Sequence, residues 1–297
     1  MRNSIHNLIS NTIKLEFTLP YGEIDKSSIT TENDYCLKGK DDKIVELIYN
    51  SIIDYCFNES EIDLTNLNNN QIYALQNRMR FNENDTHKAQ IKYGFYGETL
   101  LNILLEYLFN TKKIIAKGYF YSPIENSESK GYDNFHFLVD ENDDIELWFG
   151  EAKMYGSLKK AIKKVIDNIN NALSIQYLDR NFRAILSRIN DLDDSEITQK
   201  IKDFNLKLKN GNINVWEELK NNNFTITYPI FISYENNCSD YEKIIKDSLT
   251  EIEKRIDTIV LNNQISAKIL FILLPVNEMI KIKEGVLECI YQKKSVQ

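Results

Sequence analysis

The stretch "DNFHFLVDENDDIELWFGEAK" (133–153) opens on Asp133 and closes on Glu151 and Lys153. Side chains two apart in a strand share a face. The first run therefore aligns Asp133, Phe135, Phe137 and Val139, and the second aligns Ile145, Leu147, Phe149, Glu151 and Lys153. With an acidic turn of three or five residues inside Asp140–Asp144, paired positions sum to 284. Val139 then meets Ile145, Phe137 meets Leu147, Phe135 meets Phe149, and Asp133 meets Glu151. A slip of one residue would turn one apolar set to the wrong face. Opposed carboxylates, about 5 Å apart at Cβ, repel unless a cation lies between them. Oxygen donors of this kind suit Mg²⁺ or Mn²⁺. A metal-activated water attacks phosphorus, and a neighbouring lysine orients that water or stabilises developing charge. The ordinary alternative is a pair of solvated strand-end carboxylates with a surface ion pair of little energetic worth.

A further carboxylate lies upstream. In "GFYGETLLNILLEYLF", Glu98 shares a helical face with Leu101, Leu105 and Leu108, so it points inward, where an unpaired carboxylate is costly. Its alternative role is to complement the helix macrodipole from the first turn. Downstream, "GSLKKAIKKVI" sets Lys159, Lys160, Lys163 and Lys164 in one basic stripe, able to contact phosphates without reading sequence; the other reading is a solvated helix face. Arg180, Arg183 and Arg188 extend that surface, while His136, on the face opposite Asp133, reads as structural.

These groups need elements to hold them. Strands are expected at 13–18, 112–122, 223–235 and 266–276, besides the hairpin. Helices are expected at 42–57, 71–81, 92–109, 156–178, 180–189, 196–208, near Trp216, at 240–262 and at 278–293. From residue 92 the order of helix, three strands, helices, strand, helix and strand predicts an α/β (α+β mixed) fold: a central mixed sheet flanked by helices, with an N-terminal α/β extension. The polar run "NENDTHKAQ" (82–90) marks a boundary between an N-terminal region, 1–90, and a domain spanning 91–297. The N-terminal region either packs on that domain or docks a partner, docking being the preferred reading.

Composition narrows the function classes. A net charge of −8 is unlike a free-standing, non-specific nucleic-acid binder, so phosphate contact must come from a local patch, a metal or a partner. Cys36, Cys56, Cys238 and Cys289 form no C-x-x-C pair and no cluster with His6, His87 and His136, which argues against a zinc site and for a reducing cytoplasm. The first residues lack a signal peptide's apolar core, and no run has the length of a membrane span.

Glu98 on a helix, Asp133 at a strand start, Glu151-x-Lys153 on the next strand and a helix after it resemble the PD-(D/E)xK nuclease superfamily, with Tyr132 where the motif name carries Pro. "GFYGE", "GYD" and "WFGEAKMYGS" narrow the resemblance to the HamA family, nuclease subunits of Hachiman-type bacterial anti-phage defence. The likeness covers residues 90–180; it extends to the C-terminal third in element order alone and is not claimed for 1–85. It implies a restriction-endonuclease-like core and a Mg²⁺- or Mn²⁺-dependent DNA endonuclease working with a superfamily 2 helicase, HamB. It further implies that Asp133, Glu151 and Glu98 hold metal, with Lys153 beside them as a catalytic residue. Rival readings are a restriction or repair nuclease of the same fold, and a non-catalytic adaptor that retains it.

Overall fold

The apolar run near the C-terminus lies where its composition demands, covered on both faces in the middle of a sheet. The structure is a computed structural model that describes residues 1–19, 29–31, 34–139, 144–188, 202, 203, 206, 215–235, 250, 254 and 267–294. Its elements run α1 (Asn3–Thr12), β1 (Ile13–Leu19), β2 (Ile29–Thr31), β3 (Asp34–Gly39), α2 (Asp41–Cys56), α3 (Leu67–Asn77), α4 (His87–Gln90) and α5 (Phe95–Phe109). Then come β4 (Lys112–Lys113), a 3-10 turn (Lys117–Phe120), β5 (Tyr121–Ser122), β6 (Ser127–Glu128), β7 (His136–Val139), β8 (Ile145–Trp148) and β9 (Glu151–Tyr155). The chain continues through α6 (Leu158–Ala172), α7 (Ile175–Leu186), a short helix Val215–Asn221, β10 (Thr225–Glu235), β11 (Ala267–Val276) and a C-terminal helix Met279–Lys294. Most of the expected helices at 240–262 and 196–208 and most of the acidic turn at 140–144 lie outside the described residues.

The main sheet is ordered β1-β3-β11-β10-β8-β7-β4, with β2 on β11 and β9 on β10. β10 and β11 pair in parallel with each other and with their inner neighbours, while the β1–β3 and β4–β7–β8 margins are antiparallel. This is the expected mixed sheet. Both central strands are buried almost throughout, which is why they read as continuous apolar runs rather than alternating ones.

Helices cover the two faces. One apolar layer joins Phe135, Phe137, Leu147 and Phe149 to α6 and α7. The other joins α1, α2, α5 and the C-terminal helix to Trp148, Ala152, Phe231 and Ile272. Residues 1–90 thus supply strands to the main sheet and helices to the second layer, where α2 packs on α5 and on the C-terminal helix. The polar stretch 82–90 is pinned there: Gln90 is buried, and its amide donates to the Asn82 carbonyl at 2.9 Å and to the Tyr291 hydroxyl at 2.6 Å.

Two expectations need correction. The strand expected over 112–122 is broken: only Lys112–Lys113 pairs with β7, and the 3-10 turn at Lys117–Phe120 interrupts it. The long helix expected over 156–178 is two helices parted at Leu173, because the Ser174 hydroxyl accepts from Tyr177 N and caps the second one. Among the described residues, no helix is long and apolar enough to cross a membrane.

Candidate active site

A proline shapes the site. β8 and β9 lie in one line along β10, with Trp148 opposite Thr227 and Glu151 opposite Ile230, so the register is unbroken across the gap. Phe149 N donates to Thr227 O at 3.1 Å, which turns Thr227, and two residues on Pro229, toward this strand. Pro229 has no N–H to offer, so the ladder lapses at Phe149–Gly150. The ring and carbonyl of Pro229 crowd the gap: a Cβ on Gly150 would stand 2.4 Å from Pro229 O, so only glycine fits there.

The hairpin follows the expected register from Val139–Ile145 to His136–Trp148 and then stops, so Phe135–Phe149 and Asp133–Glu151 are not ladder pairs. Asn134 takes over the pairing. Its amide donates to Trp148 O at 3.0 Å, and its Oδ1 accepts from Gly150 N at 2.9 Å. Asp133 still meets the third strand: its N–H donates to Gly150 O at 3.0 Å, and its Oδ2 accepts from Ala152 N at 2.7 Å. Beyond that point β9 pairs with β10. The sheet therefore forks, and the proposed site residues gather at the fork.

Glu151 and Lys153 share a face, as the alternation requires, and Lys153 Nζ lies 2.5 Å from Glu151 Oε1. The other oxygen of Glu151 accepts from the Tyr228 hydroxyl at 2.9 Å. From α5, Glu98 Oε2 accepts from the Tyr55 hydroxyl at 2.5 Å. Two further residues complete the cluster. Glu128, on β6, lies 3.3 Å from the Lys117 ammonium, which also donates to Tyr132 O at 2.5 Å. Glu98, Glu128, Asp133, Glu151 and Lys153 are each partly buried, whereas Lys117 is buried.

Charge is crowded here. Burial, then the charge of Glu128, pushes the Glu98 carboxyl up to about 7, against the opposing pull of Lys117, the Tyr55 hydroxyl and Lys153. Burial and the charge of Glu98 push Asp133 up to about 7 as well. Burial lifts Glu128 too; Lys117 opposes the shift and Asp133 adds to it. Burial works against the Lys153 ammonium, but Asp133 and Glu151 outweigh it and hold the group above its ordinary range. Lys117 behaves likewise under Glu128, Glu98 and Asp133. Four carboxylates against two ammonium groups leave two negative charges uncompensated when all are ionised.

That surplus and the all-oxygen donor set fit a hard divalent cation such as Mg²⁺ or Mn²⁺. As the side chains stand, no three His, Cys, Asp or Glu among the described residues are arranged around one point for a metal. The two oxygens of Glu151 are engaged by Lys153 and Tyr228.

Lys159, Lys160, Lys163 and Lys164 are all exposed on α6, opposite its buried face of Leu158, Ala161, Ile162, Val165 and Ile166. Tyr177 and Arg180 belong to α7, with the Arg180 guanidinium 4.9 Å from the Tyr177 ring centre. His136 is buried and structural: its ring nitrogens lie 3.0 Å from Thr111 Oγ1 and 2.9 Å from Asn102 Oδ1, and burial pushes its pKa well down. Tyr55, Lys117, Glu128, Asn134 and Tyr228 were not legible as site residues. None stands in a motif, and of the five only Asn134 had a usable signal, a polar residue interrupting an apolar strand start.

No curated protein matches the chain. The model of the HamA family matches residues 9–290, from the N-terminal helix and strands through the forked sheet to the C-terminal helix. The chain therefore belongs to the HamA family, whose members are proteins of anti-phage defence.

Proposed function

We propose that this chain is a metal-dependent deoxyribonuclease that hydrolyses phosphodiester bonds in DNA as the effector of a Hachiman-type defence system, in the cytoplasm and with a helicase partner. The observation that carries the reading is the forked sheet, which gathers Asp133, Glu151 and Lys153 with Glu98 in one cluster bearing surplus negative charge. Family membership supports the defence role and a Hachiman partner.

Asp133, Glu98 and Glu151 would hold Mg²⁺ or Mn²⁺. When bound, the ion supplies Lewis-acid polarisation of the phosphate and a water of lowered pKa. The rest falls to the chain. Ala152 N–H anchors one oxygen of Asp133 and so orients the other. Tyr228 holds Glu151 from β10. Lys153 keeps its proton under the carboxylates around it, so it approaches the phosphate as a cation able to stabilise charge on the transferring group. The lysine stripe of α6 gives the DNA backbone a landing surface on a molecule that is otherwise negative.

The test is cleavage of linear, nicked and supercoiled DNA by the purified chain with Mg²⁺, Mn²⁺ or EDTA, with and without the helicase. The double substitution Glu151→Ala, Lys153→Ala should lower the rate by at least about 10³-fold while folding and partner binding persist. Undiminished phage protection by that variant would instead make the chain an adaptor. Discrete fragments in place of sequence-independent loss would make it a restriction-type enzyme.

A further inference from the structure

Tyr55 is the penultimate residue of α2, far from every motif, and its ring is buried. Its hydroxyl donates to Glu98 Oε2 at 2.5 Å and lies 3.4 Å from Glu128 Oε1. A phenylalanine would fill the same space, so what tyrosine adds is the hydrogen bond.

The position of that hydroxyl is fixed by three anchors at the end of α2. Lys113 Nζ donates to the carbonyls of Asp54 at 2.5 Å and Phe57 at 3.2 Å, satisfying the helix's last acceptors at its negative end. Asn58 Oδ1 accepts from Ala116 N at 2.8 Å. Gly118 passes so close that a Cβ on it would stand 2.3 Å from Cys56 O. The strip 113–118 is thereby clamped to the residues flanking Tyr55. The same strip carries Lys117 to Glu128, so one junction sets both partners of the Glu98–Glu128 side of the cluster.

We infer that Tyr55 is a positioning residue for the proposed hydrolysis: its hydroxyl holds one oxygen of the Glu98 carboxylate within the acidic cluster, so that α2 helps to place a group that would hold the cation. The inference rests on the nuclease reading. Partners that orient a ligating group are commonly worth about 10- to 100-fold in metal affinity or activity.

The experiment titrates Mn²⁺ into the full-length chain by calorimetry at neutral pH, with DNA cleavage followed in parallel. The variants are Tyr55→Phe, Glu98→Gln, the double variant, and Glu151→Ala as a control. Tyr55→Phe should keep its circular dichroism and weaken Mn²⁺ about 10-fold. Made in the Glu98→Gln background, it should add no further loss, since the hydroxyl acts through that carboxylate. Two results would overturn the inference: wild-type Mn²⁺ affinity in Tyr55→Phe, or a full additional loss in the Glu98→Gln background. Either result beside an inactive Glu151→Ala would leave the nuclease reading standing. A wild-type chain that neither binds Mn²⁺ nor loses activity on Glu151→Ala would overturn the nuclease reading itself.

Discussion

Asp133 is where the cost of the cluster can be measured. Its carboxyl, like that of Glu98, is raised to about 7, so the folded chain without metal holds these protons more tightly than the unfolded chain. Folding stability is then full below the unfolded value of 3.8 for Asp and falls as pH rises through about 7. Asp133→Asn removes one of the crowding charges. In EDTA at about pH 8 it should raise the melting temperature by roughly 2 °C or more, and near pH 4 it should change little, while cleavage is lost. Equal melting curves at the higher pH would show that the charges around Asp133 are already balanced. Because the ligands must shed protons, Mg²⁺ should also bind more tightly at about pH 8 than at about pH 6, which calorimetry can follow. Asp133, Glu151, Lys153 and Glu98 could be found from residue type and period alone, since an apolar stripe ending in charges is an anomaly within a short window. Tyr55, Lys117, Glu128 and Tyr228 could not: their meaning lies in contacts such as Tyr55–Glu98, 43 positions apart, and Tyr228–Glu151, 77 apart.

At the level of elements, the fork depends on one tight passage. Gly150→Ala would drive a Cβ into the Pro229 carbonyl, a backbone atom that cannot swing aside. Overpacking of this kind costs about 2 kcal/mol, which denaturant titration should register. The same change should lower cleavage, because β9 carries both Glu151 and Lys153 past that point. A variant as stable as the parent would mean that the two strands separate freely there. The alternation gave the hairpin's register down to His136–Trp148, because both strands display it locally. The lapse beyond could not be read there: on the hairpin side the Asn134 side chain replaces the ladder, and on the other side Pro229, which interrupts the pairing with β10, sits on a strand remote in sequence. The break between α6 and α7 did have a local sign: Ser174 is an N-cap residue in the middle of an apolar period.

For the whole molecule, charge decides how the proposed DNA substrate would be met. The chain carries a net −8, and the four exposed lysines of α6 form a local exception to it. Replacing Lys159, Lys160, Lys163 and Lys164 with glutamate should weaken DNA binding uniformly across sequences. Each phosphate that is no longer neutralised should flatten the dependence of log affinity on log salt by about 0.9. Anisotropy titrations at several salt concentrations measure this, and an unaltered slope would place the DNA elsewhere. Composition could indicate this surface but not the joining of residues 1–90 with α5 and the C-terminal helix in one apolar layer, since the polar run 82–90 reads as a boundary between them. That joining bears on any attempt to shorten the protein. A fragment beginning at residue 91 would bare the undersides of α5 and the C-terminal helix to water and leave β11 without its β2 and β3 partners. It would be a sticky remnant rather than a miniature enzyme, forfeiting solubility and the tyrosine beside Glu98 in a single cut.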